Sequence, residues 1–449
     1  MNPTPILSRS VSPVVGLLAG LVVVLLARVA IVQVGDEYHA DPRNAFVRGW
    51  VDTDRPLPTI TTADGRVVAR SVSASGRVTR RYFDPDLVPL VGIVPGGGAP
   101  VGIERWLAVQ RDHPEGPVRL TINSGVQAAV VDAIGDLPAA ILVLRTDGTL
   151  LAAIDHTAEM VAPVDDIASG RHPLPAGTGP WPRHGGSVLF DRPVAAGSTL
   201  KPLLFGVALD QGLVGADDEL PATRGYQPAG GRWVANNHDS RCPPADLVVS
   251  LALSCNSTAL MIADLLSPVG VRDAYRSFGL GAVAPSARKT AVSVHALKRG
   301  WPSTPDEVSL AAIGQGEARV TLLGLGLAYA AIATGEGVPA PRVLADDPTD
   351  EWLPAPITAE ARAVIMEGLL AAVEDGTASG LSGRGVAAKT GTATRRDGRT
   401  SDGWVVTLVP AQDPEHVIIT YLSGDEGSVS SADAVPLTAR LLDDTGDLP

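Results

Sequence analysis

The sequence predicts an α/β chain of the α+β type: an antiparallel sheet flanked by helices, with a small β-rich pedestal and an N-terminal transmembrane helix. Three observations predict it. Helical patterns fill much of residues 200–373, whereas strand-like runs gather late and join by hairpins, as 404–409 and 417–422 do across 410–414. A Pro-, Gly- and Arg-rich stretch with short β-like runs stands before the longer elements. A nearly unbroken apolar segment opens the chain.

In chain order, residues 1–10 read as a short cytoplasmic tail and 11–34 as the membrane anchor. Residues 14–27 are apolar and 29–34 extend the run beyond Arg28, enough for one helix of about 20 residues. Arg28 sits near the far end, where a long side chain reaches the interface. Arg9 before the run, with Asp36, Glu37 and Asp41 after it, favours a cytoplasmic N-terminus and an external body. A cleaved signal peptide and a buried helix are the alternatives; no small-x-small site follows the run.

Residues 35–119 read as a non-catalytic pedestal, in which 59–62 and 67–69 flank an Asp64-Gly65 turn. Residues 120–449 form the larger domain. Within it, 127–134 is helical, and 139–143 and 149–154 are strands turning at Asp147-Gly148. Residues 156–186 are a long loop of Pro, Gly and His. A helix then closes at Gly212, helices 246–253 and 257–266 flank a tight link, and 360–373 is amphipathic. Residues 385–394 read as a strand and 432–442 as the last helix.

The chain has 449 residues, 45 % of them hydrophobic, which suffices for a large core. Its net charge of −13 argues against a nucleic-acid partner. Eight histidines lack ligand spacing and two cysteines cannot build a cysteine-only metal site, so neither metal nor cofactor is expected.

Chemistry concentrates in three stretches. Ser198 and Lys201, three residues apart at a helix start, share one face and come within hydrogen-bonding reach. Lys201 serves as a base only if its pKa falls well below about 10.4; burial and a second cation, Lys389, both push it down. Ser254 can relay a proton and Asn256 can offer its amide to a peptide carbonyl. Lys389, Thr390 and Thr392 on a strand edge suit a substrate carboxylate, and Gly391 lets a substrate backbone approach. The backbone N–H groups of Ser198 and Thr392 are the expected oxyanion donors.

Singly, each has an ordinary reading: Ser198, Ser254 and Asn256 as helix caps, Lys389 as a solvated charge. A second Ser-x-x-Lys, Ser286 to Lys289, is taken as accidental. The ordered set outweighs these readings, because the chain has only four lysines and two fall in the motifs.

Ser-x-x-Lys, Ser-x-Asn and Lys-Thr-Gly in that order resemble the penicillin-binding proteins and serine β-lactamases. Ala196-Gly197-Ser198-Thr199-Leu200-Lys201-Pro202, Ser254-Cys255-Asn256 and Ile313-Gly314-Gln315-Gly316 are similar to the family's segments. Arg48-Gly49-Trp50 and 64–71 resemble the pedestal of class B, the monofunctional transpeptidases. Asp402-Gly403 stands before Trp404 where the family often has His-Ala.

The resemblance implies a D,D-transpeptidase whose catalytic set is Ser198, Lys201, Ser254, Asn256 and Lys389, with Thr390, Gly391 and Thr392 binding substrate. It also implies peptidoglycan stem peptides ending in D-Ala-D-Ala as donors, β-lactams as covalent inhibitors and a polytopic glycan polymerase as partner. The rivals are a D,D-carboxypeptidase or β-lactamase, and a non-catalytic β-lactam receptor or scaffold. Whether Cys242 and Cys255 bond, pinning the second motif, is left open.

Overall fold

The computed structural model describes Val22 and residues 56–74, 77–96, 100–109, 116–157, 160–172, 186–220, 223–236, 240–281, 304–347, 351–425, 427–446 and 448–449. The anchor (Val22 apart), Arg48-Gly49-Trp50 and the second Ser-x-x-Lys lie outside these residues. Among the described residues no helix is long and apolar enough to cross a membrane.

The N-terminal sheet has four strands: β1 Ile60–Thr61, β2 Val67–Ala74, β3 Arg77–Tyr82 and β4 Val118–Arg119, ordered β3-β2-β1-β4. Asp64-Gly65 turns β1 into β2, and Gly65 takes the positive φ of 90° that such a turn demands. The helix Gly102–Val109 (α1) carries Glu104, which is buried against Arg80 of β3 at 2.7 Å. Arg80 Nη1 donates to the Leu57 carbonyl (3.2 Å) and Ser71 Oγ (3.4 Å), and Nη2 to the Pro58 carbonyl (2.8 Å).

The larger sheet is antiparallel and five-stranded. Its strands are β5 Ala139–Arg145, β6 Leu150–Asp155, β7 Ala387–Thr394, β8 Ser401–Val409 and β9 His416–Leu422, in the order β7-β8-β9-β5-β6. Strands do come late, as the sequence suggests, but two from before the nucleophile complete the sheet by pairing β9 with β5. Period-two alternation gives each central strand two buried faces. Ala140, Leu142, Leu144, Val417, Ile419 and Tyr421 face one core, and Ala139, Ile141, Val143, Ile418 and Leu422 face the other.

The helices follow from local signals. Asn123 caps α2 (Ser124–Ile134), accepting from Gly125 and Val126 N–H. The helix α3 spans Lys201–Asp210, α4 Leu247–Ala252 and α5 Asn256–Ser277, the last broken at Ser267-Pro268. Thr304 and Glu307 form a capping box on α6 (Pro305–Ala312), and α7 (Leu322–Thr334) is buried nearly all round under the sheet. Two more, α8 (Ala359–Glu374) and α9 (Ser431–Thr445), complete the domain. Within α8, Gly368 meets Leu251 of α4 so closely that an added Cβ would stand 2.8 Å from its Cδ2.

Candidate active site

A cleft of about 630 Å³ opens along the free edge of β7, lined by Ser198, Asn236, Ser254, Asn256, Gln315, Thr377, Thr390, Gly391 and Thr392 among others. All three sequence motifs meet there. Ser198 lies in a 3₁₀ turn, Gly197–Leu200, that runs straight into α3. Residues three apart eclipse in such a turn, so Lys201 comes round beneath Ser198. Pro202 occupies the first turn of α3, where its missing N–H costs nothing.

The turn is locked by contacts that only glycine permits. Gly197 N–H donates to the Gly314 carbonyl at 2.8 Å, and a Cβ on Gly314, whose φ is 69°, would sit 1.9 Å from the Gly197 oxygen. From above, Tyr329 of α7 donates its hydroxyl to the Thr199 carbonyl at 2.7 Å. The turn that carries the nucleophile candidate is therefore held on both sides, and Ser198 itself lines the cleft.

Lys201 and Lys389 are both completely buried. Lys201 Nζ donates to the Ser254 carbonyl (2.5 Å) and to Asn256 Oδ1 (2.8 Å), with Ser254 Oγ at 3.4 Å. These, and not Ser198, are its hydrogen-bond partners. In place of the expected Ser198–Lys201 hydrogen bond, the amine is taken up by Asn256, the first residue of α5. Lys389 Nζ donates to Ser254 Oγ at 2.9 Å and to the Thr390 carbonyl at 3.1 Å. Ser254 thus stands between the two lysine amines, its backbone at φ 60°.

Among the described residues, no carboxylate pairs with either lysine. Burial pushes Lys201 well below its ordinary value, and the neighbouring Lys389 charge pushes it further. Burial alone takes Lys389 down to about 7. Both shifts bring the amines toward the range in which a proton is given and taken near neutral pH.

Thr390 donates its hydroxyl to Thr377 Oγ1 at 2.6 Å, and Thr392 Oγ1 accepts from Ser431 N–H at 3.1 Å. Gly391 passes so close to Ala196 that an added Cβ would lie 2.8 Å from its carbonyl. Gln315 is the residue whose part sequence reasoning missed, although Gly314-Gln315-Gly316 stood out. Its amide spans the edge of β7, Nε2 to the Thr392 carbonyl and Oε1 from Thr394 N–H, each 3.0 Å. That fixes Thr392's backbone groups outward, toward the cleft. Thr377 carried no signal in the sequence.

Asp402-Gly403 also finds its reason. Asp402 binds Arg395 at 2.6 Å and Gly424 N–H at 2.9 Å, and a Cβ on Gly403 would lie 2.1 Å from the carbonyl of Ser430, the residue whose side chain caps α9. The cysteines that were left open are bonded, Cys242 to Cys255.

The family described as "Penicillin binding protein transpeptidase domain" matches residues 185–443, a span that holds all three motifs and the strand edge they share. The chain belongs to this family. Penicillin-binding transpeptidase structures share its fold across most of its length. The D,D-transpeptidase domain of a peptidoglycan glycosyltransferase from Eggerthella lenta is 23 % identical, with a TM-score of 0.72 over 88 % of this chain and 98 % of that one. Penicillin-binding protein A from Mycobacterium tuberculosis, as its penicillin G acyl-enzyme complex, is 21 % identical at TM-score 0.72, covering 88 % and 100 %. Penicillin-binding protein 3 of the same organism is 21 % identical at TM-score 0.66, covering 86 % and 94 %. No curated protein matches the chain significantly.

Proposed function

We propose that this penicillin-binding transpeptidase is a class B D,D-transpeptidase that cross-links peptidoglycan through an acyl-enzyme on Ser198. The observation that carries the reading is the pair of buried, unpaired lysines converging on Ser254 beside a cleft-facing Ser198. Ser198 Oγ attacks the carbonyl of the penultimate D-Ala while its proton passes to neutral Lys201. The N–H groups of Ser198 and Thr392 receive the oxyanion. Ser254, fed by Lys389, hands a proton to the departing D-Ala nitrogen, and the C–N bond breaks to leave an ester. An amine of a neighbouring stem peptide then attacks that ester and gives its proton to Ser254 and Lys389, the C–O bond to Ser198 breaks, Ser198 takes its proton back from Lys201 and the cross-link forms. Asn256 offers Nδ2 along the cleft, and Thr390, Gly391 and Thr392 seat the donor's carboxylate end and backbone.

Transpeptidation is favoured over β-lactam hydrolysis because no carboxylate is among the described residues that line the cleft, whereas class A β-lactamases deacylate through a glutamate base. Residues 11–34 anchor the body outside the cytoplasmic membrane in this reading, with a polytopic glycan polymerase as partner. The test is intact mass of the ectodomain after incubation with a penicillin, beside Ser198→Ala. A long-lived adduct of one drug mass, absent from Ser198→Ala, followed by cross-linked product from a lipid-linked substrate, is the expected result. Drug hydrolysed without an adduct makes the protein a β-lactamase; drug left intact makes it a scaffold.

A further inference from the structure

We infer that one end of the cleft is an anion subsite, in which Arg319 and Arg396 take a carboxylate carried by the donor residue that precedes the reacting D-Ala. Donors with that carboxyl group free are then preferred over donors in which it is a carboxamide. The inference rests on the transpeptidase reading and adds to it which donors the site selects.

The chain carries a net charge of −13, yet the charged groups among the described residues that line the cleft are all arginines: Arg319, Arg395 and Arg396. Arg395 is spent on its own neighbours, binding Asp402 at 2.6 Å, Ser423 Oγ at 2.8 Å and Asp425. The other two share a single carboxylate. Arg396 Nη2 donates to Glu317 Oε1 at 2.6 Å, whereas Arg319 Nε stands 3.8 Å from Glu317 Oε2, beyond hydrogen-bonding range. That Nε is buried and has no hydrogen-bond partner among the described residues, which is a costly state for a donor. Burial pushes the Arg319 guanidinium below its ordinary value and the Arg396 charge pushes it further, with Glu317 and Asp402 pulling back. Two guanidinium groups against one carboxylate leave a positive charge over. The Arg396 side chain is 72 % exposed and that of Arg319 21 %, so both can be reached from the cleft.

Their place along the cleft follows from the strands. Arg319 opens the short strand Arg319–Val320, which pairs with Val194–Ala195 and sets Arg319 opposite Ala195, just before the nucleophile turn. Arg396 follows the end of β7 at Thr394. In the proposed mechanism the donor's carboxylate end sits at Thr390 and its oxyanion at Thr392. The chain before the reacting D-Ala therefore continues toward Thr394, about 7 Å further along the edge. It does not continue there as an added strand, because Gln315 already occupies the Thr392 carbonyl and the Thr394 N–H. Recognition beyond the reacting D-Ala falls to side chains, and the two arginines with charge to spare stand at that end. A guanidinium offers its N–H groups in a fork that fits carboxylate oxygens, and a carboxamide brings no charge to answer it.

The test uses two thioester donors alike but for one group, with glutamate or glutamine before the D-Ala thioester. Ser198 Oγ attacks the thioester carbonyl, the C–S bond breaks, and the departing thiol is read with a chromogenic disulfide reagent. The quantity compared is the ratio of kcat/KM for the two donors in wild type, Arg319→Gln, Arg396→Gln and the double variant. A merely structural part for the arginines slows both donors alike and leaves that ratio where it was.

The expected wild-type preference for the glutamate donor is about tenfold, the scale of one charge-assisted hydrogen bond. Each single variant should lower it to about threefold and the double variant to about one. Equal kcat/KM for the two donors in wild type overturns the inference, as does a preference that survives loss of both arginines. If the variants do not fold, wild type decides. Raising salt from about 0.1 to about 1 M shortens the screening length from about 10 to about 3 Å and should cut the preference by about threefold, whereas an unchanged preference overturns the inference. Wild type that takes neither donor nor penicillin overturns the transpeptidase reading and this inference with it; wild type that takes penicillin and both donors alike overturns the inference alone.

Discussion

The molecule buries basic side chains in two regions and treats them in opposite ways. In the N-terminal sheet, Arg80 is met by Glu104 at 2.7 Å and by two carbonyls. At the cleft, Lys201 and Lys389 are as deeply buried and meet only hydroxyl, carbonyl and amide oxygens. Even with its partner, Glu104 is pushed up by burial, which shows how costly desolvation is here. The lysines bear that cost unrelieved, and the response is a fall in their pKa toward the range where a proton can leave. Pairing a buried charge preserves the fold; leaving it unpaired makes it reactive.

The sharpest way to break this contrast is to remove one member of each region. Lys201→Met should cut penicillin acylation by about a thousandfold, yet melt no lower than wild type, because a buried amine that no carboxylate pairs has gone. Arg80→Met should do the reverse: about 3–5 kcal/mol less stable in a urea titration, since Glu104 is left buried and alone, with the acylation rate of the folded protein unchanged. If Lys201→Met destabilises as much as Arg80→Met does, the lysine is structural and the contrast fails.

A pH series sharpens it further. Lys389 falls from its ordinary 10.5 to about 7 in the folded protein, so between those values the unfolded chain binds more protons. Wild-type stability should therefore climb with pH from about 7 to about 10.5 relative to Lys389→Met, the opposite of a lysine gaining a carboxylate partner. Chemical denaturation of both proteins across that window measures it, and a falling difference would mean that Lys389 is paired in solution. The smallest effect is expected of Gln315→Ala, which removes the two contacts to the β7 edge: acylation slows by about three- to tenfold, the scale of one or two hydrogen bonds. Full activity in that variant would show that the edge needs no brace.

Much of this was legible in the chain because it is written at short range. Ser198 to Lys201 is one helical turn, Asp64-Gly65 is a hairpin, and Lys389 to Thr392 alternates as a strand must. What was not legible involves partners far apart. The pairing of β9 with β5 joins segments some 270 residues apart, and local pattern carries no register across such a distance. Thr377 reaches Thr390 only because α8 ends beside β7.

The sequence by itself determined which groups could do the chemistry, since hydroxyl, amine and amide are properties of residue types and their spacing places them on common faces. It also determined that two lysines out of four would be spent in motifs. Only the tertiary structure decided how those groups are disposed: that Lys201 rests on Ser254 and Asn256 instead of Ser198, that both lysines are sealed from water without a carboxylate, and that Cys255 is bonded to Cys242. The reason is physical. A pKa depends on burial and on neighbouring charge, and both are created when distant segments close over one another.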